Sequence, residues 1–319
     1  MKITHLTYAR VAPDATPDPP RPRPKGDGVE KFLGDHIESL FAMAKKPDAP
    51  PPGRIDGEEA RRLFRDLHAG SASDFLTAAY ALTLRLIGRM NGATAEGLLV
   101  CLRADTPEHG RVAGVLKLEV VTPNGAVLRE LDSGETVLAA VTDLLDSPGK
   151  LHKGALVTSG LADGQVICGD RLAQAALYFP KAFDIRTFCR PSDATKAFFD
   201  ALEECAGPVA AEVVPEVAAA WPAVQPGSPD EVLAELAQKV PGLTASLRAD
   251  IAERLRNAAR PVARLDTRRT VKETYQAGAI TVSGPIDEMR RRVRRVPIGG
   301  GPGWQIIVDS PERPVTAHQ

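Results

Sequence analysis

The apolar positions along this chain change period several times, and the changes mark its elements. "MKITHLTYARV" sets Ile3, Leu6, Tyr8 and Val11 among polar residues and predicts a strand. "VEKFLGDHIESLFAMAKK" moves to helical spacing, with Phe32, Leu33, His36, Ile37, Leu40 and Phe41 on one face. "EEARRLFRDLHAG" and "SDFLTAAYALTLRLIGRM" keep that period and predict a helical hairpin. Gly70 stops the first helix, and Ser71 or Ser73 caps the second. From Glu96 the pattern shortens: "GLLVCLRA" and "RVAGVLKLEVV", joined by "DTPEHG", predict a β-hairpin. A further strand follows Pro123-Asn124-Gly125, and "GETVLAAVTDLLD" predicts a helix. "GALVTSG" and "GQVICGD" predict a second hairpin, and "RLAQAALYFPKAFD" a helix bent by Pro180.

Proline-rich stretches at 12–28, 45–57 and 206–230 interrupt these periods and predict loops or linkers, since proline supplies no backbone donor. The third, with Trp221, predicts the boundary between an α+β domain at 1–205 and a smaller domain at 231–319, with 206–230 as a Pro/Ala-rich linker. Beyond it, Ser228 with Pro229 opens "DEVLAELAQKV", and Thr244 opens "ASLRADIAERLRNAAR". The chain then reads as strand "GAITVSG", short helix "PIDEMRRR", strand "VRRVPI", turn "GGGPG" and closing strand "WQIIVDS". The expected class is α+β: a mixed N-terminal domain of β-hairpins packed with helices, a helical segment, and a small C-terminal strand-helix-hairpin element.

Charge refines this picture. The formal net charge is -1, so the molecule has no overall basic field to collect nucleic acid, and any such attraction must be local. Residues 200–253 carry ten acidic groups against Lys239 and Arg248, about -8, whereas 254–295 carry twelve basic groups against four acidic ones, about +8. Cys101, Cys168, Cys189 and Cys205 form no C-x-x-C pair, which argues against zinc, iron–sulfur and redox motifs; no metal or cofactor is expected. Apolar runs end well before the roughly 20 residues a bilayer requires, and no signal sequence opens the chain. A cytoplasmic protein without membrane contact is expected.

The densest basic feature is "MRRRVRRV". Arg290, Arg291 and Arg292 fan around a short helix, and Arg294 and Arg295 alternate on the strand after it. Forked, permanently charged arginines suit phosphate, and Arg264, Arg268, Arg269 and Lys272 extend the set. Trp304 could stack on a base or sugar. The competing reading pairs these cations with the acidic 200–253 segment of the same chain. "GGGPG" lacks the Lys-Ser/Thr ending of a P-loop and reads as a hairpin turn.

Lys117 and Glu119 share one strand face. They suggest a Mg²⁺ nuclease only if another carboxylate joins them from Glu96, Glu130, Asp132 or Glu135; otherwise they form the solvent face of an amphipathic strand. The six histidines form no H-x-x-x-H or H-E-x-x-H pattern, and neither a G-x-S-x-G elbow nor a strand-linked G-x-G-x-x-G occurs. The residues therefore disfavour a hydrolase or a nucleotide-dependent enzyme.

The succession "EGLLVCLRADTPEHGRVAGVLKLE" followed by a helix, then "KGALVTSGLADGQVICGD" and a helix carrying "YFPKAFD", resembles the bacterial nucleoid-associated proteins of the NdpA/YejK type. The likeness rests on Leu116, Lys117, Leu118 and Glu119, on the aromatic pair Tyr178 and Phe179, and on Phe183-Asp184. It spans roughly residues 1 to 285, with departures at the three proline-rich stretches. The resemblance implies a non-enzymatic protein of the cytoplasm and nucleoid, with no catalytic residues to transfer. It would bind DNA, chiefly double-stranded, or a protein of the DNA-handling machinery; self-association stays open. Weak sequence preference is expected, because phosphate contacts position a protein without reading bases.

Overall fold

A computed structural model of the chain describes residues 1–22, 28–121, 126–130, 136–140, 144–145, 153–170, 178–277, 280–297, 304–308 and 315–318. The fold is α+β, built from helices and antiparallel sheets. It divides into two compact units: residues 1–47 with 52–187, and residues 48–51 with 188–319.

The first unit contains β1 (Lys2–Val11), α1 (Val29–Ala44), β2 (Gly53–Ile55), α2 (Glu58–Ala69), α3 (Ala72–Ile87), β3 (Gly97–Thr106), β4 (Gly110–Val121), β5 (Ala126–Glu130), β6 (Thr136–Ala140), β7 (Leu144–Leu145), β8 (Lys153–Thr158), β9 (Gln165–Asp170), α4 (Tyr178–Ala182) and β10 (Ile185–Arg186). Its main sheet runs β1-β3-β4-β8-β9-β2-β10, with β7 pairing β4, and every pairing is antiparallel. Both expected hairpins form, from Thr106↔Gly110 to Gly97↔Glu119 across β3–β4 and from Lys153↔Asp170 to Leu156↔Ile167 across β8–β9. Ser71 is the cap of α3: its hydroxyl accepts from the Asp74 N–H while the Asp74 carboxylate accepts from the Ser71 N–H, a reciprocal capping box.

The sheet is covered on both faces. Phe64, Phe75, Phe179 and Phe183 of the α2–α4 side pack with Ala113, Val115 and Ala155, while Leu33, Ile37, Leu40 and Phe41 of α1 pack with Leu116, Leu118 and Leu156. Gly154 and Gly169 lie opposite each other across β8–β9 and leave a notch for Leu40. A Cβ at either position would stand 2.6 or 2.5 Å from that side chain.

One expected helix is absent. Within "GETVLAAVTDLLD", residues 136–140 are β6, paired with β5 from Ala126↔Ala140 to Glu130↔Thr136, and Leu144–Leu145 pairs β4. The β-branched Thr136 and Val137 suit a pleated ladder, and the neighbouring strand supplies the partner that helical periodicity could not reveal. Pro180 sits inside α4, within the expected helix; residues 171–177 of that helix lie outside the described residues.

The second unit contains α5 (Pro191–Ala206), α6 (Ala210–Ala220), α7 (Pro229–Ala237), α8 (Ala245–Asn257), β11 (Lys272–Ala277), β12 (Ile280–Pro285), α9 (Ile286–Arg292), β13 (Val293–Pro297), β14 (Trp304–Val308) and β15 (Val315–His318). Ser228 and Thr244 cap α7 and α8 as expected, and the strand-helix-strand-strand succession of the C-terminus forms as β12, α9, β13 and β14. The linker expected at 206–230 is instead part of the core. Val213, Val214 and Val217 of α6 are buried, and Trp221 packs against Phe198 and Phe199 with ring centroids 4.7 and 5.1 Å apart. Pro208, Pro222 and Pro229 stand where short helices begin and Pro215 lies within α6, so the composition of a linker coexists with a packed segment. The boundary accordingly falls at 187/188, not at 205.

Candidate functional site

The basic residues singled out in the sequence divide by environment. Arg290, on α9, is withdrawn into the second unit with 8% of its side chain exposed. Its Nε donates to Glu273 Oε2 at 2.9 Å and its Nη2 to Glu273 Oε1 at 2.7 Å. The same guanidinium reaches Asp200 at 2.5 Å and Glu203, both on α5. Burial works against its charge, yet Tyr275, Glu273 and Glu203 override that penalty and hold its pKa above the ordinary arginine value. Four of its five N–H donors are thus committed to carboxylates. For Arg290 the partners are therefore Glu273 and, from the acidic segment, Asp200 and Glu203.

Arg291 and Arg292 pair with Glu288 of their own helix, both at 2.9 Å, and remain about 40% exposed. Internal pairing recurs on α8, where Arg254 meets Glu204 of α5 and Arg256 lies 3.9 Å from Asp230. Arg269 pairs with Asp48 at 3.1 Å. Arg264, Arg268 and Lys272 differ: all three are exposed, and none has a carboxylate within ion-pair distance among the described residues. Arg268 instead donates to Gln225 at 2.5 Å, which orients its guanidinium without neutralising it. Arg294 and Arg295 lie on β13, an edge strand, opposite Ile307 and Ile306, and Trp304 opens β14 opposite Pro297; their side chains lie outside the described residues.

The face of β4 that carries Lys117 and Glu119 is not solvent-facing. Lys117 is fully buried and donates to the Ala95 carbonyl at 2.7 Å. Its Nζ lies 3.5 Å from Glu119 Oε1, and Lys153 Nζ approaches the same oxygen at 3.4 Å. Lys153 is itself 2% exposed and sits over the Tyr178 ring at 5.4 Å. The two lysines are direct cross-strand neighbours, and Lys153 lies opposite Asp170 of β9. Sequence spacing could not supply Lys153, because the register of β4 with β8 creates that neighbour. Of the carboxylates weighed as a third member, Glu96 is exposed and pairs with Arg10 at 2.9 Å. Asp132 and Glu135, with the side chain of Glu130, lie outside the described residues.

Two further groupings escaped the sequence. His109 stacks on Phe41, centroids 3.6 Å apart, and lies 3.9 and 3.8 Å from the exposed Glu38 and Glu108. Arg61, Arg65 and His68 of α2 face the β8–β9 turn across a cleft of about 280 Å³. Their i, i+4, i+7 spacing was visible in "EEARRLFRDLHAG", but the turn opposite them was not.

No helix among the described residues is long and apolar enough to cross a membrane. No protein-family model matches the chain, and no curated protein matches it.

Proposed function

We propose that this is a non-enzymatic, nucleoid-associated DNA-binding protein of the bacterial cytoplasm that grips duplex phosphate with weak sequence preference. The observation that carries the reading is the exposed trio Arg264, Arg268 and Lys272, cations with no carboxylate within ion-pair distance among the described residues, on a segment otherwise rich in internal pairing. Arg291, Arg292 and Arg269 join at the cost of exchanging an exposed ion pair for a phosphate contact, an exchange of small free energy. Arg294 and Arg295 belong to the proposal by position on the edge strand. Arg290 does not belong to it. The resemblance of the strands at 96–119 and 153–170 and of "YFPKAFD" to the NdpA/YejK type supports the same assignment, without the helix expected between them, which is β6.

Salt dependence is the test, because each neutralised phosphate adds about 0.9 to the slope of log affinity against log salt. Binding of the full chain to a random-sequence duplex is expected to weaken steeply with salt. The variant with Arg264, Arg268 and Lys272 changed to Ala is expected to show a slope shallower by about 3. Absence of binding at low salt, or an unchanged slope in the triple variant, overturns the proposal and leaves a protein adaptor of DNA-handling machinery as the reading to pursue. Retention of a protein partner after nuclease treatment would then mark that adaptor.

A further inference from the structure

The first unit carries its own candidate anion site, independent of the duplex reading and remote in sequence from its arginines. Helix α2 sends Arg61, Arg65 and His68 to one side of a cleft whose other side is the end of β8 and the turn into β9, with Thr158 and Ser159 supplying hydroxyls. Its nonpolar lining includes Ile55, Phe64 and Val157.

The electrostatics of this cleft are unbalanced. Two arginines at i, i+4 repel when nothing lies between them, and three of the carboxylates nearest to them in the sequence are engaged elsewhere. Asp56 holds Arg186 at 2.7 Å, Asp66 holds Arg62 at 3.1 Å, and Glu59 holds Arg85 at 2.9 Å. Neither Arg61 nor Arg65 has a carboxylate within ion-pair distance among the described residues, and Asp163 is the single acidic side chain lining the cleft.

Arg61 is also pre-oriented. Its Nε donates to the Ile55 carbonyl at 2.6 Å and its Nη2 to the Asp56 carbonyl at 3.4 Å, so its guanidinium is fixed without being neutralised. Gly164 permits this approach: its φ is +79°, and a Cβ there would stand 3.4 Å from Arg61 Nε. His68 is held as well, with Nε2 3.3 Å from the Arg111 carbonyl oxygen and 3.4 Å from Ser159 Oγ. Since the carbonyl only accepts, that contact is a hydrogen bond when Nε2 carries the proton.

We propose that this cleft binds the phosphate group of an organic phosphoester, a free nucleotide or a phosphate on a nucleic-acid strand. Arg61 and Arg65 supply forked donors, Thr158 and Ser159 supply hydroxyl donors, and the apolar lining favours an ester over the bare ion.

Equilibrium dialysis of the full chain with labelled deoxyadenosine monophosphate tests it, beside inorganic phosphate and a 5′-phosphorylated trinucleotide. The nucleotide is expected to bind with a Kd of about 1 mM or tighter, and more tightly than inorganic phosphate. Arg65→Gln, a change at an exposed side chain, is expected to weaken it about tenfold. Arg264→Ala, in the other unit, should leave nucleotide binding unchanged, whereas Arg65→Gln should leave most of the duplex salt slope intact, so this proposal and the duplex reading fail separately. Tighter binding of the trinucleotide assigns the site to strand phosphates, and weaker binding assigns it to free nucleotides. No binding of either ester, affinity for inorganic phosphate equal to that for the esters, or indifference to Arg65→Gln overturns it.

Discussion

Arg290 and Glu273 form a two-bonded ion pair between α9 and β11, with each side chain 8% exposed and N···O distances of 2.7 and 2.9 Å. The geometry is the parallel fork in which guanidinium and carboxylate match best. Asp200 and Glu203 close around the same guanidinium. The most conspicuous basic run in the sequence thus contributes a structural clasp at its first arginine.

Removing that clasp should be costly. Arg290→Ala leaves Glu273 buried without its guanidinium, and a loss of about 3 kcal/mol or more is expected in urea unfolding of the full chain. Arg290→Lys should recover only part of it, because an ammonium cannot reproduce the fork. Arg264→Ala, at an exposed residue without an ion pair among the described residues, should leave stability within experimental error.

The notch for Leu40 predicts strong overpacking. Gly154→Ala or Gly169→Ala should destabilise by about 1–3 kcal/mol, since the added Cβ meets Leu40 at 2.6 or 2.5 Å and the close-packed layer must shift. Adding Leu40→Ala should make the pair of changes less damaging than their sum, and a double-mutant cycle by denaturant unfolding would show the coupling.

The packed state of 206–230 should be visible in solution. Trp221 is 2% exposed among Phe198 and Phe199, so its emission in native protein should be blue-shifted and poorly quenched by iodide. Trp221→Ala is expected to cost about 3–5 kcal/mol. It should also open the segment to proteases that leave the native chain intact there.

The cysteines should separate by burial. Burial pushes the Cys101 thiol up to about 12 from an ordinary 9.0, and Cys189 up to about 11. At pH 8 Cys101 should react with a thiol reagent only as fast as the first unit opens. The unfolded chain loses the thiol proton near pH 9 while the folded chain retains it, so this contribution to stability is full below that value. It falls as pH rises through the window from 9 to about 12. Cys101→Ala should flatten the alkaline fall in unfolding free energy over that interval.

Local chemistry determined much of this protein before any contact was known. Ser71, Ser228 and Thr244 fix helix starts because their hydroxyls satisfy N–H groups three residues on, and the alternating Val and Leu runs fix β3, β4, β8 and β9. The spacing of Arg61, Arg65 and His68 is a helical repeat, yet nothing in the sequence marked it as a site. Tertiary structure decided what each repeat faces. Whether "GETVLAAV" is helix or strand depends on a neighbouring ladder, and whether Lys117 meets water depends on helices covering both sides of β4. The role of Arg290 depends on carboxylates 17 to 90 residues away. Hydrogen-bonded caps and side-chain periods act over a few residues and are written in the sequence, whereas burial and ion pairing act through space and arise only when distant segments meet.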